Sequence, residues 1–200
     1  IGREANVFDC ELSYDAMMGA LRTHDGTKLI RTLEFFPEEG KYHLDGHRNC
    51  NIRWTPAETK RHGFRCPTCG RKVTVGVMHR VEALADRPEG ARSSTAIPFQ
   101  HLVALDEIIA DALGVGVGTQ AVEREYQQLI YKCGTEFNVL LEASKETLRS
   151  ATTSKIAEGI LRMRQGRVEV DPGYDGEYGK IKLFGETAPA QAGEQQLTLF

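Results

Sequence analysis

No segment of this 200-residue chain is apolar for long enough to cross a bilayer, and none has the layout of a secretory leader. No internal repeat is visible, and the first residue is Ile1 rather than methionine. The chain therefore reads as a fragment or a processed product. Cysteines are few and odd in number: Cys10, Cys50, Cys66, Cys69 and Cys133. That excludes a fully paired disulfide framework. The tight Cys66-x2-Cys69 pair suits a reducing compartment with metal-bound thiolates, so a cytoplasmic location is expected. A large net charge is also missing. At −3, with a pI of about 6.1, bulk charge does not mark a nucleic-acid binder. Hydrophobic content of 40% is ordinary for a globular domain, and 200 residues suit one domain or two small ones.

The distribution of charge says more than its sum. Between Lys41 and Arg80 stand nine basic residues, with only Asp45 and Glu58 against them. A compact basic island of about +7 inside an otherwise acidic chain focuses a field on a polyanion. Arg48, Arg53, Lys60, Arg61, Arg71 and Lys72 are the phosphate-contact candidates. Trp54, the sole tryptophan, is a candidate for base stacking or a core residue. His79 and Arg80 follow as candidate DNA-facing residues, His79 being equally suited to an interior hydrogen bond.

Local patterns predict an α+β chain. Residues 1–40 read as the end of an α/β domain. Ser13 caps a helix through Leu21, and a strand runs from Lys28 to Phe36. Thr55-Pro56 opens a short helix over Ala57 to His62. A β-rich run at Val73 to Val77 precedes helical spacing over Val77 to Leu84. Residues 86–97 read as a loop. Helices follow over Leu105–Leu113, closed by Gly114, over Gln120–Tyr131 and over Lys155–Arg164. Two short strands, Val168–Val170 and Lys180–Phe184, flank a turn-rich stretch from Asp171 to Gly176. The polar aromatic turn Tyr174-Asp175-Gly176-Glu177-Tyr178 suits a DNA contact or a self-packed loop equally. The expected division is residues 1–40, a metal module at 41–90, a mainly helical domain at 91–185, and a flexible linker with a terminal motif at 186–200.

The chemistry is concentrated in Cys66-Pro67-Thr68-Cys69-Gly70, a knuckle that turns backbone amides toward two thiolates. His47-x2-Cys50 lies fifteen residues upstream and supplies a second pair at matching spacing. The set His47, Cys50, Cys66, Cys69 is closed at four ligands, so structural rather than catalytic zinc is expected. His43 and Asp45 are the alternatives to His47. Few large apolar side chains surround the set, so the metal would supply folding free energy.

Several segments together resemble the endonuclease Q family of DNA-repair enzymes. They are Ile1-Gly-Arg-Glu-Ala-Asn6, Glu34-Phe-Phe-Pro-Glu-Glu-Gly-Lys-Tyr-His43, Asp45-Gly-His-Arg48, Cys66-Pro-Thr-Cys-Gly70, Val75-Gly-Val-Met-His-Arg-Val81, Leu84-Ala-Asp-Arg-Pro-Glu-Gly90 and Pro172-Gly-Tyr-Asp-Gly-Glu-Tyr-Gly179. The resemblance covers nearly the whole chain. It implies an enzyme that nicks DNA 5′ of deaminated bases or abasic sites with catalytic divalent metals in a PHP (polymerase and histidinol phosphatase) domain. On that reading residues 1–40 are the end of the PHP domain, and the catalytic residues lie upstream of Ile1. This stretch alone would not cut DNA. It would bind DNA and help present the lesion. The alternative is a non-nuclease, zinc-containing DNA-binding adaptor attached to a helicase or other repair protein. The last five residues, Gln196-Leu-Thr-Leu-Phe200, look like a bacterial sliding-clamp-binding motif. Leu199 and Phe200 would be the apolar anchors, Gln196 the polar one, and Leu197 would fill a side site.

Overall fold

The structure is a computed structural model that describes residues 4–88 and 90–185; the terminal Gln196–Phe200 motif lies outside them. In chain order the elements are β1 (Glu4–Phe8), α1 (Tyr14–Thr23), β2 (Leu29–Glu34) and β3 (Asp45–His47), then β4 (Ile52–Trp54), α2 (Pro56–Arg61), α3 (Val77–Leu84) and β5 (Phe99–His101). They continue with α4 (Leu105–Leu113), α5 (Gln120–Cys133), α6 (Lys145–Ala151), α7 (Ser154–Arg164), β6 (Glu169–Asp171) and β7 (Lys180–Lys182). Single 3-10 turns cover Pro37–Glu39 and Arg48–Cys50, and a π turn covers Asn138–Glu142. The chain is thus α+β. Among the described residues no helix is long and apolar enough to cross a membrane.

Two compact units divide the chain. The first holds residues 4–36, 95–169 and 182–185. Its sheet has the order β1-β2-β5, with β1 antiparallel and β5 parallel to β2. The linear division expected from the sequence keeps residues 1–40 apart from 91–185. In the structure Thr32, Leu33 and Glu34 pair with Phe99, Gln100 and His101. A parallel partner needs a long crossover, and here residues 37–94 fill that crossover. The Ser13 side chain caps α1 by accepting the Ala16 N–H, as its position predicts.

The core of this unit is helical. Leu105, Ile108 and Ile109 of α4, Leu129 of α5, Leu148 of α6, and Ile156 and Ile160 of α7 are all fully buried. Their three-and-four spacing puts one apolar stripe on each helix. Arg164, at the end of α7, donates to the carbonyls of Val139, Leu140 and Ala143 at 2.7–2.9 Å. These are groups that a π turn leaves without ladder partners. Asp111 Oδ2 accepts the N–H groups of Leu183 and Phe184 and so ties the segment after β7 onto α4.

The second unit holds residues 37–88, 90–94 and 170–181. It contains the hairpin β3–β4 and the helices α2 and α3. Its buried apolar side chains among the described residues are Pro56, Cys66, Val73 and Tyr174. That is too few to stabilise a domain by burial alone, and every feature below lies in this unit.

Candidate metal centre and nucleic-acid face

The knuckle comes from a reversal of the chain between Arg65 and Lys72, which face each other as an antiparallel bridge. The Cys66 N–H donates to Arg71 O, and the Gly70 N–H returns to Cys66 O, both at 2.8 Å. Two residues beyond Lys72, Thr74 exchanges both backbone hydrogen bonds with Gly46, at 2.8 and 2.9 Å. This exchange fixes the knuckle to β3, which carries His47 at its end. The approach is close: a Cβ on Gly46 would sit 2.5 Å from Ile52 O and 2.4 Å from the Tyr174 ring. No larger residue than glycine fits there.

The consequence is convergence. The ligand atoms of His47, Cys50, Cys66 and Cys69 lie within 4.8 Å of one another. His47 Nδ1 stands 3.7 Å from Cys69 Sγ. A tetrahedral zinc with one imidazole and thiolates has N–S edges of about 3.6 Å and S–S edges of about 3.8 Å, from its usual bond lengths. Three sulfurs and one nitrogen, with no carboxylate and no fifth group among the described residues, are a donor set that suits a soft, four-coordinate ion. Burial pushes the Cys50 thiol up to about 11, reinforced by the neighbouring Cys69 and Cys66. For Cys66, burial also pulls upward, but the amides of Cys69 and Thr68 outweigh it and bring the thiol down to about 6. One ligand is therefore poised as thiolate near neutral pH, while Cys50 would release its proton to solvent on binding a metal.

His43 and Asp45, the alternatives to His47, have other partners. His43 Nδ1 lies 3.0 Å from Pro37 O. Burial, partly countered by Glu38 and the Pro37 carbonyl, holds the His43 ring below the usual imidazole range. Asp45 is fully buried, with Oδ1 accepting the Gly76 N–H at 2.6 Å and Oδ2 2.7 Å from His79 Nδ1. Together these contacts lock the start of α3 against β3.

The segment 170–181 packs on the module. The Asp175 carboxylate accepts the Arg48 N–H at 2.7 Å and the Thr74 hydroxyl. Tyr174 is buried, and its hydroxyl donates to Asn51 Oδ1 at 3.2 Å. Of the two readings of this turn, Tyr174 and Asp175 realise the self-packed one. No local signal announces it, because the partners lie more than a hundred residues upstream.

The nine DNA-contact candidates separate by partner. Arg53 pairs with Asp171 and lies over the Tyr174 ring. Lys60 bridges to Glu82 at 2.5 Å. Trp54 stacks on His62, with ring centres 4.4 Å apart and planes 9° from parallel. His79 is held on Asp45, with the Phe64 ring 5.2 Å away. Arg48, Arg61, Arg71, Lys72 and Arg80 are exposed, and among the described residues none forms an ion pair with an acidic side chain. The β5 strand and the choice of Asp45 as the partner of His79 are among the features that local sequence patterns miss in this chain.

Residues 104–167 match the family described as the MJ0043 C-terminal domain. The chain is 32% identical over 189 residues to the uncharacterised protein MJ0043 of Methanocaldococcus jannaschii, covering 92% of this chain and 23% of that protein. It is 30% identical over 187 residues to the uncharacterised YqxK of Bacillus subtilis, covering 91% of this chain and 43% of that one. Among solved structures it is similar to the lesion-specific endonuclease PfuEndoQ from Pyrococcus furiosus. The TM-score is 0.81 and the identity 29%, over 91% of this chain and 45% of that one. A second endonuclease Q structure, in complex with a 27-mer duplex bearing an abasic lesion at the active site, matches with a TM-score of 0.76 and 29% identity. That match covers 91% of this chain and 46% of the other. The resemblance to endonuclease Q therefore runs along nine-tenths of the chain. The chain spans less than half the length of these relatives.

Proposed function

We propose that this chain is the DNA-engaging portion of an endonuclease Q-like repair nuclease, with its second unit stapled by zinc at His47, Cys50, Cys66 and Cys69. The carrying observation is the likeness to endonuclease Q over 91% of the chain, one such relative being a duplex-DNA complex. On this reading β1, α1 and β2 are the last elements of a PHP domain whose catalytic metals sit elsewhere. The whole enzyme nicks beside deaminated bases or abasic sites in the cytoplasm. This portion supplies affinity and register through phosphate contacts.

Arg71 and Lys72 stand beside the metal knuckle, exposed and on one turn. Charge reversal of both, Arg71→Glu with Lys72→Glu, is expected to weaken duplex binding at low salt by at least about tenfold. The slope of log affinity against log salt should shrink by about two, one unit per lost phosphate contact. Fluorescence anisotropy at several salt concentrations reads both. An unchanged affinity and slope would remove the basic face from the DNA interface.

The Gln196–Phe200 motif extends the proposal to a bacterial sliding clamp. An extended peptide with two terminal apolar anchors docks in a hydrophobic pocket with modest affinity, because ordering it costs entropy. Leu199→Ala with Phe200→Ala should abolish retention on immobilised clamp. Equal retention of the double variant would end the clamp reading and leave the DNA reading untouched.

A further inference from the structure

We infer that Lys41, Tyr42, Arg48 and Tyr178 form a seat for unpaired nucleotides, with bases stacked on the two exposed tyrosine rings and a phosphate between the two cations. The inference rests on the DNA-binding reading and adds the form of strand selected.

Two distant stretches build this surface. The Gly176 N–H donates to Lys41 O at 2.9 Å, the Gly173 N–H to Glu38 O at 2.8 Å, and the Leu44 N–H to Gly173 O at 3.0 Å. Asp175 and Gly176 take left-handed backbone angles, φ 45° and 90°, so the chain reverses tightly over Lys41. A Cβ on Gly176 would stand 3.2 Å from Arg48 Nη1 and 3.8 Å from Tyr42 Oη, so guanidinium and phenol meet over the same glycine. Lys41 Nζ lies 5.5 Å from the centre of the Tyr42 ring and 5.6 Å from that of Tyr178.

The rings stand on a fixed base. Asp175 ties the turn to the Arg48 backbone and to Thr74, and the Tyr174 side chain fills the space under it. Tyr174 is 9% exposed, whereas Tyr178 on the same turn is 67% exposed and Tyr42 on the facing stretch is 45% exposed. Aromatic rings held in water beside cations that, among the described residues, pair with no carboxylate have the two properties that a single strand requires. Its bases need π faces, and its phosphates need positive charge. An intact duplex offers the phosphates but keeps its bases stacked, so it can use only half of this surface. The nearest carboxylate on the turn, Asp175, is already engaged, and Glu177 is exposed at its edge.

The test compares two fluorescent probes on the zinc-loaded chain. One is a fully paired duplex; the other is the same duplex with a gap of about four nucleotides that carries 2-aminopurine. The gapped probe should bind more tightly, and its 2-aminopurine emission should fall on binding. Tyr42→Ala with Tyr178→Ala should erase about tenfold or more of that preference, the order expected for lost base–aromatic stacking. Tyr42→Phe with Tyr178→Phe should keep it, and duplex affinity should stay within about twofold in both. Should the alanine pair lose its zinc, Tyr178→Ala alone carries the test, since that ring is the more exposed. A gap preference that survives the alanine variants overturns the seat. Duplex binding without any gap preference also overturns it, and the DNA-binding reading then stands. Failure to bind either probe ends both.

Discussion

Removing the metal should unfold the second unit and leave the helical unit intact. The distribution of buried apolar groups gives the reason. Leu105, Ile108, Ile109, Leu129, Leu148, Ile156 and Ile160 all lie in the first unit, while the second has Pro56, Cys66, Val73 and Tyr174. Structural zinc contributes on the order of 10–16 kcal/mol of apparent binding free energy in small modules, which exceeds the stability of most domains. Elemental analysis should find about one zinc per chain. With excess chelator, limited proteolysis should cut within residues 37–94 while a core containing α4 to α7 persists, with most of the helical circular dichroism retained. Cys66→Ser should behave like the chelated protein. Resistance of the whole chain to protease in chelator, with no metal bound, would refute the staple.

The pH dependence has a definite sign. The depressed Cys66 thiol, at about 6, favours the thiolate above that pH. Metal affinity should therefore weaken more steeply with acid below about pH 6, where Cys66 too must lose a proton on binding. Cys50, held up at about 11, must give its proton to solvent when the metal binds, so affinity should keep rising with pH through neutrality.

A second large effect is expected at Asp45. This carboxylate is fully buried, and two groups depend on it: the Gly76 N–H and the His79 ring. Asp45→Ala would strand both donors, and leaving a buried donor unsatisfied costs about 1–3 kcal/mol each. The loss should appear as zinc transfer to a chromogenic chelator, at a rate or extent at least about a hundredfold greater than in the parent chain. Asp45→Asn keeps the shape but faces a donor with a donor, and should fall between the two. Zinc retention in Asp45→Ala equal to that of the parent would show that the contact carries no such stability.

The parts legible in the sequence are those determined within a few residues. α4 begins at Leu105 and ends against Gly114 because an apolar stripe and a terminating glycine are local signals. The Thr55–Glu58 capping box, closed in both directions, is likewise a four-residue pattern. The close grouping of His47, Cys50, Cys66 and Cys69 follows from spacing alone, because two short turns can be closed by one exchange at Gly46 and Thr74. β5 is illegible for the opposite reason. Its three residues have no periodicity worth reading, and each pairs with a β2 residue 67 positions upstream. The helix α6 does carry a local signal, Ser144 accepting the Thr147 N–H, in a stretch otherwise without turn markers. The ion pairs of Arg53 and Lys60, and the stacking of Trp54 on His62, depend on packing that no window of sequence contains.

The order of synthesis adds a constraint. Tyr174 and Asp175 leave the ribosome about a hundred residues after the knuckle they pack against, at an emergence rate of roughly 5–20 residues per second. Several seconds pass in which the nascent metal module exists without its lid, with the Arg48 amide and the Thr74 hydroxyl open to water. During that interval the helices from α4 to α7 emerge and can condense. The metal module, begun before those helices, is thus completed only after them.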